Sequence, residues 1–341
     1  MKRKTAICVS IAVAIIILFL SNLFYGSVSI PASAVMDILL GKEVERGVWV
    51  NIIIQSRFPQ AVTAMLAGSA LAVCGLMLQT LFRNPLAGPS ILGISNGANL
   101  GVAIVMLYSG GVLGGLSSFG VNLSVILAAF CGAFAVLLLI LYFSVRIKSN
   151  VLILIIGILT GYLASSGISI LNAYASADNV RAYIMWGMGT FSSVSLSQLP
   201  FFSVTLLLGL FFSILLIKPL NTLLLGENYA SNLGSNIRRT RLSILLITGL
   251  LTAIVTAFCG PIGFIGLAVP HIARMFLGTS NQQFLLPLTI LTGAAVALLC
   301  NLMTVIPFGK GLLPLSAVTP LVGAPVILYV ILNRRNSGYF N

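Results

Sequence analysis

Charge is what this sequence has least of. Only 7% of its 341 residues are Asp, Glu, Lys or Arg, against about a quarter in an ordinary soluble domain. Acids are scarcest: Asp37, Glu43, Glu45, Asp178 and Glu227 are all of them, and His271 is the single histidine. Catalysis by paired carboxylates or a bound metal needs several titratable groups that converge, and His271 has no second His, Cys or carboxylate at ligand spacing. The five cysteines, Cys8, Cys74, Cys131, Cys259 and Cys300, all lie in apolar runs without a CxxC. They read as small buried hydrophobes, not as a metal site or a disulfide framework. No GxxxxGK[ST] phosphate loop occurs, so any nucleotide hydrolysis must come from another chain.

What is present is apolar. Hydrophobic residues make up 59% of the chain and the mean hydropathy is +1.12. Such a chain is a polytopic membrane protein. It is all-α, because lipid offers backbone groups no partner outside the helix and no barrel-like alternation is visible. A span takes about 20 apolar residues. Ten are legible, at about residues 6–25, 57–82, 91–108, 121–145, 151–171, 199–217, 242–259, 263–277, 284–305 and 317–332. The first follows Lys2-Arg3-Lys4 and outlasts the core of a signal peptide, about 7–15 residues. It therefore reads as an uncleaved span, although Ala32-Ser33-Ala34 resembles a cleavage site. Residues 30–40 predict a short interfacial helix on the outer face. Residues 42–47 predict a solvated loop, and residues 180–188 a second surface helix with Trp186 at the lipid boundary.

The net charge of +13 is distributed as topology charge. With ten spans both termini are cytoplasmic. Lys2, Arg3, Lys4, Arg83, Arg146, Lys148, Lys218, Arg238, Arg239, Arg241, Arg274, Arg334 and Arg335 then fall inside, and only Lys42, Arg46, Arg57, Arg181 and Lys310 outside, as the positive-inside bias requires. A phosphate-binding face for nucleic acid is not what this placement describes.

Two small-residue patterns predict close helix crossings: Ala67, Gly68, Ser69 and Gly75 on the second span, and Gly157 and Gly161 on the fifth. AGSALAVCG in the second span also echoes TGLLTAIVTAFCG in the seventh. These two spans run in opposite directions, as an inverted repeat requires. Pro270 interrupts the short eighth span. His271 and Arg274, at i and i+3 near its inner end, read as a snorkelling pair facing headgroups or a neighbouring loop.

One stretch could not sit in lipid: residues 225–241, LGENYASNLGSNIRRTR. Gly226-Glu227 to Leu233 predicts two helical turns, with Glu227 where the helix dipole favours an anion. Gly234 is a left-handed stop. Ser235 is the expected cap of a second short helix reaching Arg241. The result is a knob carrying Ala230, Ser231, Gly234 and Leu233, shaped to enter a cleft on a soluble partner. An ordinary cytoplasmic loop whose arginines set topology is the other reading.

These residues resemble a known family. The segments are Arg57-Phe58-Pro59, Ala67-Gly68-Ser69-Ala70-Leu71-Ala72 with Gly75 and Gln79, Arg83-Asn84-Pro85-Leu86-Ala87-Gly88-Pro89, and Leu92 to Ala98. Further along come Leu225-Gly226-Glu227 with Ala230, Leu233 and Gly234, then Gly260-Pro261-Ile262-Gly263-Phe264 to Arg274, and Gly323-Ala324-Pro325. In this order they resemble the FecCD family, the permease subunits of bacterial ABC importers for iron-siderophores, haem and cobalamin. The resemblance covers nearly the whole chain, residues 1–341 as a single transmembrane permease domain. It implies a type II importer fold and a non-enzymatic subunit without cofactor in the inner membrane. It implies two ATP-binding cassette ATPases and a periplasmic or lipid-anchored binding protein as partners, with a second permease copy completing a path along the fifth and tenth spans. Carried over residue by residue, the ATPase-coupling loop at about 221–241 would use Gly226, Glu227, Ala230, Leu233, Gly234 and Arg238. The cytoplasmic gate would use Asn84, Leu86, Ser149 and Asn150, and binding-protein docking would use Arg57. Gln60 stands where family members carry a second docking arginine, and residues 278–283 lack the charged pair expected there. An ion-coupled secondary transporter with inverted repeats is the alternative. A membrane enzyme using His271 is the remote third reading.

Overall fold

The computed structural model describes residues 2–42, 44, 46–108, 118–147, 149–232, 234–305 and 313–332. Leu233, Glu43, Glu45, Lys148, Lys310, the glycine-rich stretch 110–115 and Arg334-Arg335 lie outside them. Among the described residues every regular element is helical. Six helices are long and apolar enough to cross a membrane: α1 (Lys2–Phe24), α3 (Gly47–Leu81), α5 (Ser118–Arg146), α6 (Asn150–Tyr174), α11 (Ile237–Cys259) and α13 (Gln282–Val305). The pair α8 (Leu199–Leu215) and α9 (Ile217–Leu224) passes the same test together and is bent by 50°. Three shorter apolar helices complete the set of ten: α4 (Ile94–Tyr108), α12 (Ile265–Leu277) and α14 (Leu315–Leu332). The remaining helices, α2 (Ala32–Leu39), α7 (Ala177–Gly187) and α10 (Glu227–Asn232), are short.

Two expectations need correction. The second span does not open at Arg57. Its helix starts at Gly47 and passes through a π-helical stretch, Ile52–Arg57, so Arg57 stands inside a continuous helix. Likewise there is no separate short helix after Gly234. Asn236, not Ser235, supplies the cap, its Oδ1 accepting from Arg239 N at 3.0 Å, and the helix it starts runs on unbroken as α11. Ser235 donates instead to Thr222 Oγ1.

The third helix is the axis of the fold. It packs against α13, α12, α11, α8 and α1, and nearly every residue from Ala61 to Leu81 is buried. Its glycines explain how so many neighbours come close. A Cβ on Gly75 would collide with the carbonyl of Gly266 on α12, and one on Gly68 with Ala297 and the carbonyl of Gly293 on α13. The GxxxG of α6 serves a similar contact, with Gly157 and Gly161 both against Gly93 before α4. Without a hydrophobic force between helices in lipid, such backbone approach is what dispersion and weak polar contacts act through.

The pairings also repeat five spans on. The third helix packs along α13 as α11 packs along α5, and α4 touches α6 as α12 touches α14. The echo between the second and seventh spans thus has a counterpart in packing.

Because the atom met by a Cβ on Gly75 is backbone, no side chain can swing aside. Gly75→Val is expected to cost on the order of 1–3 kcal/mol or more through overpacking, whereas Gly187→Val, whose Cβ meets nothing within 4 Å, is a matched control. Thermal unfolding in detergent should show a lowered Tm for the first only.

Candidate coupling and gating site

One end of the bundle gathers the ends of α3 and α5, the starts of α6, α11 and α13, and the whole of α10. The segments predicted to be inner loops therefore meet. Lys4 of α1 joins them, its ammonium 3.9 Å from the Phe284 ring at the start of α13.

The polar stretch folds against this end. Gly226 takes φ +100, a conformation that favours glycine, and delivers Glu227 to the first turn of α10. Gly234 takes φ +79 and stops the helix as its position predicts. Its N–H bonds Ser231 O at 2.9 Å, and Ser235 N bonds Ala230 O at 3.0 Å. Ala230 is fully buried. It anchors α10 to this end of the bundle instead of presenting itself on a knob. The groups that do project are Leu225 and Tyr229, 60% and 57% exposed, with Ser231, Asn232, Arg238 and Arg239. Leu225 and Tyr229 are not among the contact residues expected from the sequence, which names Leu233 as the knob's apolar group. A tyrosine on the outer face of a six-residue helix was the available signal.

Glu227 turns inward. Its Oε1 accepts from Asn150 Nδ2 at 2.7 Å and from Arg241 Nη2 at 3.1 Å. Asn150 Nδ2 also donates to Leu81 O at 3.0 Å, and Arg241 Nη1 to Ile147 O at 3.1 Å. The predicted coupling residue and one predicted gate residue are thus in direct contact. The other gate residues sit in the two turns that follow. Asn84 Oδ1 accepts from Leu86 N at 2.9 Å, closing an Asx turn that leaves Leu86 41% exposed. Arg83 beside it has φ +48, which is uncommon for a non-glycine residue. Ser149 is exposed and caps α6, accepting from Leu152 N.

The turn at residues 83–89 is held from behind. His271 Nε2 lies 2.8 Å from Pro85 O, so that nitrogen carries the hydrogen. Arg274 Nη1 donates to Gln79 Oε1 at 2.7 Å, and Gln79 Nε2 to Leu267 O at 3.1 Å. His271 and Arg274 are 5% and 6% exposed. They are therefore internal braces of the inner turn, not a pair snorkelling to headgroups. Residues 278–283, short of charge, join α9 by amides: Asn221 Nδ2 donates to Asn281 Oδ1, and Gln282 N to Asn221 Oδ1.

At the opposite end Arg57 has a structural employment. It is 5% exposed, and its guanidinium donates to Leu23 O at 2.7 Å, Phe24 O at 2.8 Å and Val28 O, closing the C-terminal end of α1. Gly26 leaves room for it, since a Cβ there would strike the guanidinium. This geometry removes Arg57 from the surface where a docking charge has to stand. Gln60 is likewise internal: it donates to Asn301, which donates to Asn22, which donates to Leu298 O, an amide ladder joining α3, α13 and α1. Lys42 and Arg46 remain as exposed cations at this end. Lys42 stands 3.5 Å from Asp37, and Arg46 stacks on Trp49. Among the described residues no group of His, Cys, Asp or Glu could hold a metal ion.

The chain matches the FecCD transport family over residues 14–333. It is 35% identical to the vitamin B12 import system permease protein BtuC of Klebsiella pneumoniae over 83% of each chain. It is also 35% identical to the hemin transport system permease protein HmuU of Yersinia pestis over 84% of each. A solved structure in an inward-facing conformation, assigned to the metal-chelate type of ABC transporter, superposes with a TM-score of 0.81 at 30% identity, covering 97% of this chain and 99% of that one.

Replacing Arg57 by Ala would take the donor from the buried Leu23 O and from the part-buried Phe24 O and Val28 O, a loss on the order of 1–3 kcal/mol. Arg57→Ala should lower Tm in detergent clearly, whereas Lys42→Ala and Arg46→Ala, at exposed positions, should leave it nearly unchanged.

Proposed function

Because the chain belongs to the FecCD transport family, we propose that it is the membrane-spanning permease of an ATP-driven importer in a bacterial cytoplasmic membrane. Its solute is a large metal chelate or metal-bearing cofactor of the cobalamin, haem or ferric-siderophore kind. The observation that carries this reading is the inner-end junction, in which a projecting polar helix is bonded to the segments beside two turns at the mouth of the bundle. A soluble ATPase seated on Leu225, Tyr229 and Arg238 would act directly on those turns. Gly226 and Gly234 would set the helix at its angle, while Glu227 and Ala230 would hold it to the permease.

A second copy of the chain completes the path in this reading. The sixth helix is the best candidate for its wall. Ser165, Ser166 and Ser169 are exposed among the apolar side chains of α6, a polar stripe that suits a solvated passage better than lipid. The gate is then Asn84, Leu86, Ser149 and Asn150 from both copies. The termini lie on the cytoplasmic side, and two ATPases and a binding protein complete the assembly. Binding-protein docking falls to exposed outer groups such as Lys42 and Arg46, given the burial of Arg57.

Reconstitution tests this. Liposomes containing the permease, its ATPase and its binding protein should accumulate one of labelled cobalamin, haem or ferric siderophore only with ATP. Tyr229→Asp should reduce ATPase association by roughly tenfold, the scale of losing one buried aromatic anchor. Accumulation by the permease alone under a proton or sodium gradient would replace this reading with that of a secondary transporter.

A further inference from the structure

Glu227 is the one carboxylate at the inner end among the described residues, and its hydrogen bonds are made within the permease. If it served chiefly to contact an ATPase, it would face outward with Tyr229 and Asn232. Instead its Oε1 holds Asn150 Nδ2 at 2.7 Å and Arg241 Nη2 at 3.1 Å. Through Asn150 it reaches Leu81 O, at the end of α3, and through Arg241 it reaches Ile147 O, just past α5. Those two carbonyls stand at the doors of the turns at residues 83–89 and 146–150.

Two further features mark the junction as built. Arg241 is 6% exposed although it is charged, and a buried cation is kept only where its partners are fixed. Asn150 Oδ1 is buried and among the described residues has no hydrogen-bond partner, so its amide is held by Nδ2 alone against that penalty. Leu81 O and Glu227 Oε1 share the one amide nitrogen, so moving α10 pulls on the end of α3 through two hydrogen bonds.

We infer that Glu227 and Asn150 are positioning residues forming the link that carries displacement of α10 to both inner turns, and that Glu227 is not itself an ATPase contact. This rests on the reading of residues 225–241 as the ATPase-contacting segment and says how that contact is transmitted.

The test uses the complete complex in liposomes, with Asn150→Ala, Glu227→Ala and the double variant. Three quantities are read: ATPase bound per permease, solute taken up per ATP hydrolysed, and the nucleotide dependence of maleimide labelling at Leu86→Cys, corrected for the parent without that cysteine. Each single variant should keep its ATPase, lose roughly tenfold in uptake per ATP, and lose the nucleotide dependence of labelling. The double variant should be no worse than the poorer single, as for two residues acting as one unit. Release of the ATPase by Glu227→Ala with normal uptake in Asn150→Ala would overturn the link, as would additive losses. Should the alanine variants fail to assemble, Asn150→Asp keeps the side-chain shape and opposes two carboxylates. It also leaves Leu81 O without a donor, so it should keep the ATPase bound while losing uptake per ATP; normal uptake per ATP overturns the link as well. ATP-independent uptake by the unmodified complex is a separate result that removes the underlying function instead.

Discussion

Backbone-to-backbone contact along α3 is the constraint on which the structure depends. In lipid, helices gain little from hiding apolar surface, so they associate where small residues let main chains meet. Gly68 and Gly75 put α13 and α12 against α3 at distances that no side chain could share. The third helix then becomes a fixed post. Its two ends point at the two polar junctions, Arg57 and Gln60 at one, Gln79 and Leu81 at the other.

The polar groups at the two ends of the bundle divide in two: some are bonded internally and others project, available to a partner. The amide ladder of Gln60, Asn301 and Asn22 and the guanidinium of Arg57 lock one end. His271, Arg274 and Gln79 brace the turn at the other. Glu227, Asn150 and Arg241 bind the polar helix to that braced end, while Tyr229 and Leu225 project from it. A conduit with no phosphate loop needs such a rigid inner end, because force applied there from outside must not dissipate in a loose loop.

Most of the fold was legible in the sequence, for a physical reason: a helix in lipid declares itself by length and apolarity. The apolar runs other than the start of the second, the turn at residues 83–89, the surface helix at Trp186 and the left-handed Gly234 stand where the residues place them. Errors fell where a polar side chain can serve either solvent or a buried partner. Arg57 beside Gln60 reads as an outer charge next to a neutral substitute, yet both bond inward because α3 continues past them to Gly47. Asn236 and not Ser235 is the cap because the helix starts at Ile237, while the serine hydroxyl turns to Thr222. Ala230 looked like a small contact residue and is a buried anchor. Which of several arginines meets Glu227 is a question of three-dimensional approach, and only folding brings Arg241 and Asn150 to the same oxygen.

The central claim is that α10 and the inner turns move as one piece. Spin labels at Ser231→Cys, exposed on α10, and Leu86→Cys within one permease, read by pulsed electron resonance in the ATP-bound and nucleotide-free complex, test it most directly. The distance between them should stay constant to within the label's own spread, while the distance between the Leu86 positions of the two copies changes. A Ser231–Leu86 distance that shifts with nucleotide while the two Leu86 positions stay fixed would contradict the account.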